Sequence, residues 1–188
     1  MSVHRDRPTM PDGYGVPESA DGLLEWATVE QQLVGARHVW LSTTRPDGRP
    51  HVVPRWGVWL DGRYFYDGSP ETVHARNLRT NPACVLHLES ATEVVVVEGT
   101  AAPSEPITGE LGERLSAAYR AAYGDQGYEP APDAWSGPDA GGMCVLHPVS
   151  ALAWRRFPAD VTRFRFATPP AAPASSGDRQ GGDPSSGA

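Results

Sequence analysis

The segment from residue 69 to residue 77, SPETVHARN, groups residue types that bind anions. Ser69 can cap a helix and Pro70 fits a first helical position, so we predict a short helix beginning here. The free N–H groups of a first helical turn, together with the helix dipole, favour a bound negative charge. Arg76 and Asn77 could instead tie the helix to neighbouring strands. The residues that could close around a phosphate are Ser69, Thr72, His74, Arg76 and Asn77.

A second candidate lies in the run WLSTTRPDGRPHVVPRWGVWL, which begins at Trp40. Alternation along a strand would place His51, Val53 and Arg55 on one face. Pro54 cannot donate to a sheet, so we expect a bulge or a sheet edge there. Arg55 and Trp56 could then form a cationic wall with a flat ring, or simply a surface cation–π pair.

The sequence excludes several kinds of chemistry, because the residues or motifs that they require are absent from it. All 16 basic residues are arginine, so a lysine Schiff base and a Walker-type phosphate loop are both excluded. The chain has no zinc-ligand spacing and no GxSxG motif, and we predict no metal site. Any anionic ligand must therefore be held by arginine, histidine, hydroxyl or backbone N–H groups. We name no catalytic acid or base.

Composition and charge narrow the possible partners. The net charge of −7 argues against nucleic acid and anionic membranes. No apolar stretch is long enough to span a bilayer, and the first residues do not resemble a signal peptide, so we predict a cytoplasmic protein. Cys84 and Cys144 stand far apart in apolar runs, which indicates buried thiols.

The elements that must position these residues are mostly strands. Asp47-Gly48 and Asp61-Gly62 lie between apolar runs and predict two consecutive hairpins, hence an antiparallel meander. The four valines from residue 94 to residue 97 predict a strand covered on both faces. The predicted strands are 38–44, 50–60, 63–66, 83–88, 93–102, 143–154 and 162–166, and the predicted helices are 21–35, 69–81 and 106–123.

The pattern predicts one folded domain with two flanking segments. Residues 1–20 are expected to be an extended N-terminal arm that lies on a partner subunit, residues 21–167 the domain, and residues 168–188 a disordered tail. The long loop 124–142 could act as a lid or an interface segment. Tyr123 or Tyr128 could cover a pocket or pack at an interface, and Glu98 is expected to pair with an arginine such as Arg163.

Six or seven antiparallel strands with short helices suggest a small β-barrel. The succession VWLSTTRPDGRPHVVPRWGVW, DGRYFYDGSP, HARNLRTNPACVLHLES and VVVVEGTA resembles the pyridoxamine 5′-phosphate oxidase-like, FMN-binding split-barrel superfamily. More narrowly, it is similar to the actinobacterial flavin/deazaflavin-dependent oxidoreductases. The later segments HPVSALAWRRFP and TRFRF also resemble the closing strands of that group.

The resemblance implies a mainly β, antiparallel split β-barrel that forms a homodimer, with FMN or coenzyme F-420 between the subunits. Relatives commonly carry a lysine two residues before the helix arginine, where this chain has His74. The cofactor-binding residues carried over by the resemblance are Ser42, Thr43, Thr44, Pro54, Arg55, Trp56, Ser69, Thr72, His74, Arg76 and Asn77.

The leading hypothesis is an F-420- or FMN-dependent oxidoreductase, with F-420 favoured on the resemblance. It would transfer a hydride between the cofactor and a small organic substrate. One alternative is a non-catalytic flavin or haem binding or carrier protein of the same fold. A third is a dimeric interaction module, which would be supported if Arg55 and Arg76 were buried in salt bridges with no cavity nearby.

Overall fold

The computed structural model describes residues 2–167, and this part of the chain folds around an antiparallel sheet of nine strands. The predicted disordered tail, 168–188, lies outside the described residues. The strands, numbered in chain order, are β1 (Val3–Asp6), β2 (Val39–Thr44), β3 (Pro50–Arg55), β4 (Val58–Leu60), β5 (Arg63–Tyr66), β6 (Ala83–His87), β7 (Val94–Pro103), β8 (Cys144–Trp154) and β9 (Thr162–Phe166).

Three α-helices accompany the sheet, and none of those within residues 2–167 is long and apolar enough to cross a membrane. Two single-turn 3₁₀ helices, Gly124–Gln126 and Ala140–Gly142, lie in the segment predicted as a long loop. The α-helices are α1 (Trp26–Gly35), α2 (Val73–Thr80) and α3 (Gly109–Tyr123).

The sheet branches at β8. Its strand order is β1-β9-β8-β7-β6-β2-β3, while β4 pairs with β5 and β5 pairs with β8. The first residues of β8 pair with β5, and its later residues pair with β9. One long strand thus serves two partners along its length, which splits the barrel. The prediction of a mainly antiparallel β fold with short helices is confirmed.

Two apolar clusters fill the molecule. Alternate residues of the strands, such as Leu41, Leu86 and Val97, point into the barrel and form the first cluster. The second lies between α3 and the sheet and includes Trp135, which is buried. The 124–142 segment therefore forms part of the core and is not a free lid.

The predicted strand 50–60 is interrupted at Trp56-Gly57. The Gly57 N–H donates to the Tyr123 hydroxyl at 2.9 Å, and the same hydroxyl lies 2.8 Å from the Gly57 carbonyl. A Cβ on Gly57 would lie 2.4 Å from the Phe65 carbonyl oxygen, so only glycine fits there. Because the Gly57 N–H and carbonyl bond to the Tyr123 hydroxyl of α3 and not to a neighbouring strand, the predicted strand divides into β3 and β4.

The segment predicted as an N-terminal arm contributes a strand to its own chain. Residues 3–6 pair with β9 in antiparallel register. Asp6 bridges Arg163 (2.9 Å) and Arg165 (2.8 Å) across that pair. The expected Glu98–Arg163 pair is therefore wrong, and Glu98 instead accepts a hydrogen bond from Ser150 at 2.8 Å.

Helix α1 begins at Trp26, five residues later than predicted. Arg7 donates to the carbonyls of Ser19 and Asp21, and Arg5 donates to the carbonyl of Leu24 at 3.0 Å. In the predicted helix the carbonyls of Asp21 and Leu24 would accept helical bonds, so the two arginines hold this segment in a non-helical path. Helix α3 likewise begins at Gly109 and not near residue 106.

The Tyr123 hydroxyl gives a test of this fold. Tyr123→Phe should lower the free energy of unfolding by about 1–3 kcal/mol, because it leaves the buried Gly57 backbone without its partner. Urea denaturation followed by fluorescence measures the change. Tyr14→Phe is the matched control, since Tyr14 is exposed, and its variant should unfold like the wild type. Equal stability of the Tyr123 variant would contradict the role given to this hydroxyl.

Candidate functional site

The residues before α2 form a turn and not the predicted first helical turn. Thr72 occupies the N-cap position and makes no side-chain capping bond. Ser69, predicted as the cap, accepts a hydrogen bond from the Glu71 N–H at 3.2 Å. The Thr72 hydroxyl donates back to the Ser69 carbonyl at 2.9 Å. We call residues 67–72 the α2 turn.

His74 lies beneath the α2 turn and is 4% exposed. Its Nε2 is 3.2 Å from the Thr72 Oγ1, and its ring lies beside Tyr66. Burial, with smaller effects of the charges on Arg55 and His51, lowers the pKa of His74 to about 4. The imidazole is uncharged at neutral pH, so it adds no positive charge to an anion site.

Asn77 and Thr43 fasten α2 to the barrel. Both side chains are buried, and Asn77 Nδ2 donates to Thr43 Oγ1 at 3.0 Å. Asn77 therefore ties the helix to β2, which is the structural alternative that the sequence left open. Ser42 and Thr44 flank Thr43 and point to the other face of β2, where they line a shallow groove of about 480 Å³.

Arg55 is half-buried at the end of β3. Its guanidinium lies over the Tyr66 ring, 5.1 Å from the centroid, and donates to the Asp67 carbonyl. Its Nε is buried and has no hydrogen-bond partner within residues 2–167. Arg55 makes no ion pair with any residue that the structure describes.

Trp56 and Pro54 point away from Arg55. The Trp56 ring stacks on Tyr123 at 4.9 Å with an interplanar angle of 3°. The expected Arg55–Trp56 wall is therefore absent, because Arg55 stacks on Tyr66 instead. Pro54 is exposed on β3, which is a sheet edge in the described chain, as the missing N–H predicted.

Two further arginines reach the α2 turn from the helix. Arg76 is exposed, and its Nη1 donates to the Glu71 carbonyl at 2.6 Å. Arg79 Nη2 donates to the Pro70 carbonyl at 2.9 Å and lies 4.0 Å from the Glu71 carboxylate. The sequence reasoning missed Arg79. Its spacing of three residues from Arg76, which puts both on one side of a helix, was the available signal.

Three guanidinium groups thus donate to backbone carbonyls of one short turn, from Arg55, Arg76 and Arg79. Each keeps further N–H groups, since a guanidinium has five donors. The Asp67 carboxylate accepts hydrogen bonds from the Tyr128 hydroxyl and, at 3.3 Å, from the Trp135 indole N–H. The remaining donors of the exposed Arg76 and Arg79 can hold a phosphate or carboxylate on the outer side of the turn.

Neither tyrosine proposed as a cover for the site plays that part. Tyr123 is buried against Gly57 and Arg37, and Tyr128 donates to Asp67. Within the described chain, Tyr123 is fully buried and Tyr128 is half-buried. Within residues 2–167, no group of three or more histidine, cysteine or acidic side chains lies close enough to hold a metal ion.

Three solved structures of differently named proteins are similar to this chain. A conserved hypothetical protein from Mycobacterium tuberculosis is 23% identical, with a TM-score of 0.51, over 78% of this chain and 88% of that one. A haem-binding protein from Mycobacterium smegmatis is 19% identical, with a TM-score of 0.52, over 70% of this chain and 55% of that one. An F-420 reductase is 20% identical, with a TM-score of 0.46, over 76% of this chain and 98% of that one.

The first two of these structures support the shared fold alone. No curated protein matches the chain. The sequence profile described as pyridoxamine 5′-phosphate oxidase matches residues 26–155, which span all of the barrel strands from β2 through β8 and most of the 188 residues. The resemblance noted in the sequence is thereby confirmed at the level of the superfamily. The chain belongs to the pyridoxamine 5′-phosphate oxidase family of split-barrel proteins.

Proposed function

We propose that the protein is a flavin- or deazaflavin-dependent oxidoreductase that transfers a hydride between its cofactor and a small organic substrate. The observation that carries the proposal is the convergence of Arg55, Arg76 and Arg79 on the α2 turn, in a chain of this family. FMN and coenzyme F-420 both carry a phosphate group, which is the chemistry that this cluster suits. The preference for F-420 over FMN comes from the sequence resemblance.

A phosphate fits best on the exposed outer side of the α2 turn, which we call its rim, where Arg76 and Arg79 lie. It fits less well beneath the turn, where His74 is uncharged. Arg76 and Arg79 are exposed and can turn from backbone carbonyls towards a ligand. Arg55 braces the same turn from the interior, where its Nε is buried and it donates to the Asp67 carbonyl. His74 stays uncharged, so the arginines supply the positive charge that a lysine supplies in relatives.

The side chains of this site bind and position; the cofactor, when bound, supplies the hydride chemistry. Ser69 and Thr72 offer hydroxyl groups at the start of α2, where the helix dipole favours an anion. The Asn77–Thr43 bond holds the middle of α2 at a fixed distance from β2. A ligand on the rim would therefore be held against a rigid part of the barrel.

We also propose that two copies of the chain pair through the outer face of the sheet. Val94 and Val96 point outward from β7 and are only half-buried, although a four-valine strand is expected to be covered on both faces. Across the sheet, Trp40, His87, Val96 and Leu152 follow one another in register on this same face, so three of the four residues are apolar. An apolar face of this extent indicates an interface, and a second copy is the family's expected partner.

A charge in this face should break the proposed dimer. Leu152→Asp is expected to give a monomer by analytical ultracentrifugation where the wild type sediments as a dimer, because a buried unpaired carboxylate is costly. Val34→Asp is the matched control, since Val34 is an exposed valine of α1, away from this face. A monomeric wild type, or a dimer that survives Leu152→Asp, would overturn the proposed interface.

Cofactor binding tests the proposed function directly. Titration of the purified chain with F-420 and with FMN, followed by absorbance, is expected to show a dissociation constant below about 100 μM for F-420, or roughly 5.5 kcal/mol of binding free energy. The reduced cofactor should then be oxidised by members of a panel of enones and quinones. Absence of binding by both cofactors would reject the proposal.

Arg76→Ala should weaken cofactor binding about ten-fold, or about 1.4 kcal/mol, as expected for the loss of an exposed charge-assisted contact. Arg114→Ala is the matched control: it removes the same charge from α3, where Arg114 pairs with Asp61. Its affinity should equal that of the wild type. Equal affinities for both variants would move the phosphate away from the α2 turn.

The second candidate is a non-catalytic flavin or haem carrier. It is favoured by His74: burial lowers the pKa of this side chain to about 4, so the imidazole is not protonated at neutral pH and cannot act there as a general acid. This candidate predicts cofactor binding with no oxidation of the reduced cofactor by any substrate tested. The interaction-module alternative loses its support, since neither Arg55 nor Arg76 is buried in a salt bridge with residues 2–167.

A further inference from the structure

A pocket of about 220 Å³ lies on the inner side of the α2 turn. It is enclosed by α2, by the end of β7 and by the residues that lead into β8. The most buried of its lining residues, among them Leu78 and Met143, form its floor, and the less buried Ala75, Pro103 and Pro138 complete its walls. An apolar cavity of about 150 Å³ is large enough to bind benzene, so this pocket can hold an apolar group of that size or slightly larger.

The floor of the pocket carries no charge at neutral pH. His74 lines it, and burial lowers the pKa of that imidazole to about 4, so the ring is neutral. Burial also raises the pKa of the Tyr66 hydroxyl and the pKa of the Cys144 thiol, so both groups stay protonated. Because a charge is costly to bury without a partner, the charged groups of a ligand belong at the mouth of the pocket and its apolar part on the floor.

Two opposite charges stand at the mouth of the pocket. Arg79 and Asp139 both line the pocket and are exposed. Arg79 Nη2 donates to the carbonyl of Pro70, another lining residue, at 2.9 Å, and Asp139 Oδ1 accepts from the Gly141 N–H at 3.1 Å. These backbone bonds hold the guanidinium and the carboxylate in place and leave each with further hydrogen-bonding capacity for a ligand.

The two charges are not paired with each other. Arg79 and Asp139 form no mutual ion pair within residues 2–167. The Glu71 carboxylate lies 4.0 Å from Arg79, and an exposed pair at this distance contributes little. A ligand with a single charge would be attracted by one of the two residues and repelled by the other. A ligand that carries both charges matches this mouth.

We propose that the pocket binds a small apolar α-amino acid, whose side chain lies on the floor while its carboxylate contacts Arg79 and its ammonium group contacts Asp139. An α-amino acid joins its two charges and its apolar group at one carbon atom, as the mouth and the floor of the pocket require. The benzyl side chain of phenylalanine is only slightly larger than benzene. The inference shares Arg79 with the proposed phosphate site but does not rest on the oxidoreductase function.

Three probes with the same aromatic ring test the pocket on the full chain without cofactor. L-Phenylalanine carries both charges, 3-phenylpropanoate lacks the ammonium group, and 2-phenylethylamine lacks the carboxylate. Titrations followed by ¹H–¹⁵N NMR should show that L-phenylalanine shifts the amide signals of Leu78 and Met143, with a dissociation constant below about 1 mM. Each of the other two probes should bind about five-fold more weakly, as expected for the loss of one exposed charge-assisted contact.

Variants that remove one charge assign the two contacts. Arg79→Gln should remove the advantage of L-phenylalanine over 2-phenylethylamine, which has no carboxylate to lose. Asp139→Asn should remove its advantage over 3-phenylpropanoate, and the asparagine oxygen can still accept from the Gly141 N–H. Arg114→Gln is the matched control: it removes the same charge from α3, outside the pocket, and should bind all three probes like the wild type.

A larger side chain in the pocket separates this inference from the proposed function. Ala75→Leu should abolish binding of L-phenylalanine by filling the pocket, and Ala102→Leu serves if that variant does not fold. If the wild type binds L-phenylalanine but neither FMN nor F-420, the proposed function is wrong and this inference stands. The reverse result contradicts this inference alone.

Several further results would overturn the proposal. These are equal affinities of the wild type for the three probes, an advantage over either analogue that survives the corresponding charge removal, a loss of that advantage in Arg114→Gln, or binding that survives both filling variants.

Discussion

The candidate site depends on how the backbone at Asp67-Gly68 is held. Arg55 donates to the Asp67 carbonyl, while Tyr128 and Trp135 engage the Asp67 carboxylate. Gly142 packs against Gly68 so closely that a Cβ there would lie 2.2 Å from the Gly68 carbonyl oxygen. This junction joins β3, the α2 turn and the segment before β8. Because the segment before β8 is packed against the α2 turn, it forms a fixed wall of the pocket of about 220 Å³ that lies between them.

The α2 turn consequently has two different sides. Its outer side carries the exposed Arg76, and its inner side closes a mainly apolar pocket of about 220 Å³, at whose edge Arg79 lies. His74 and Asn77 lie between the two sides and are buried by the packing of α2 on the barrel. Because Arg79 both donates to the turn and lines the pocket, the two sides of the turn share a charged residue.

Much of the barrel could be predicted from local signals, whereas the details of the site depend on distant contacts. Asp47-Gly48 and Asp61-Gly62 form the expected hairpins, because their backbone requirements are local. The break at Gly57 is imposed by Tyr123, which is 66 residues away in sequence. Likewise, Arg7 delays the start of α1 through carbonyls that no local pattern identifies. Trp56 could not be placed because its partner, again Tyr123, belongs to another element.

The absence of lysine from the chain gives these arginines a property that lysine could not supply. A guanidinium can donate to a backbone carbonyl with one nitrogen and keep planar donors free on the others. Arg76 and Arg79 can therefore brace the α2 turn and still face an anion, whereas an ammonium group has no such fixed fork. With the charge carried on the rim by arginine, the position of His74 is free to hold a buried, neutral ring. The positive charge of the turn is therefore carried by the arginines and not by the ring of His74.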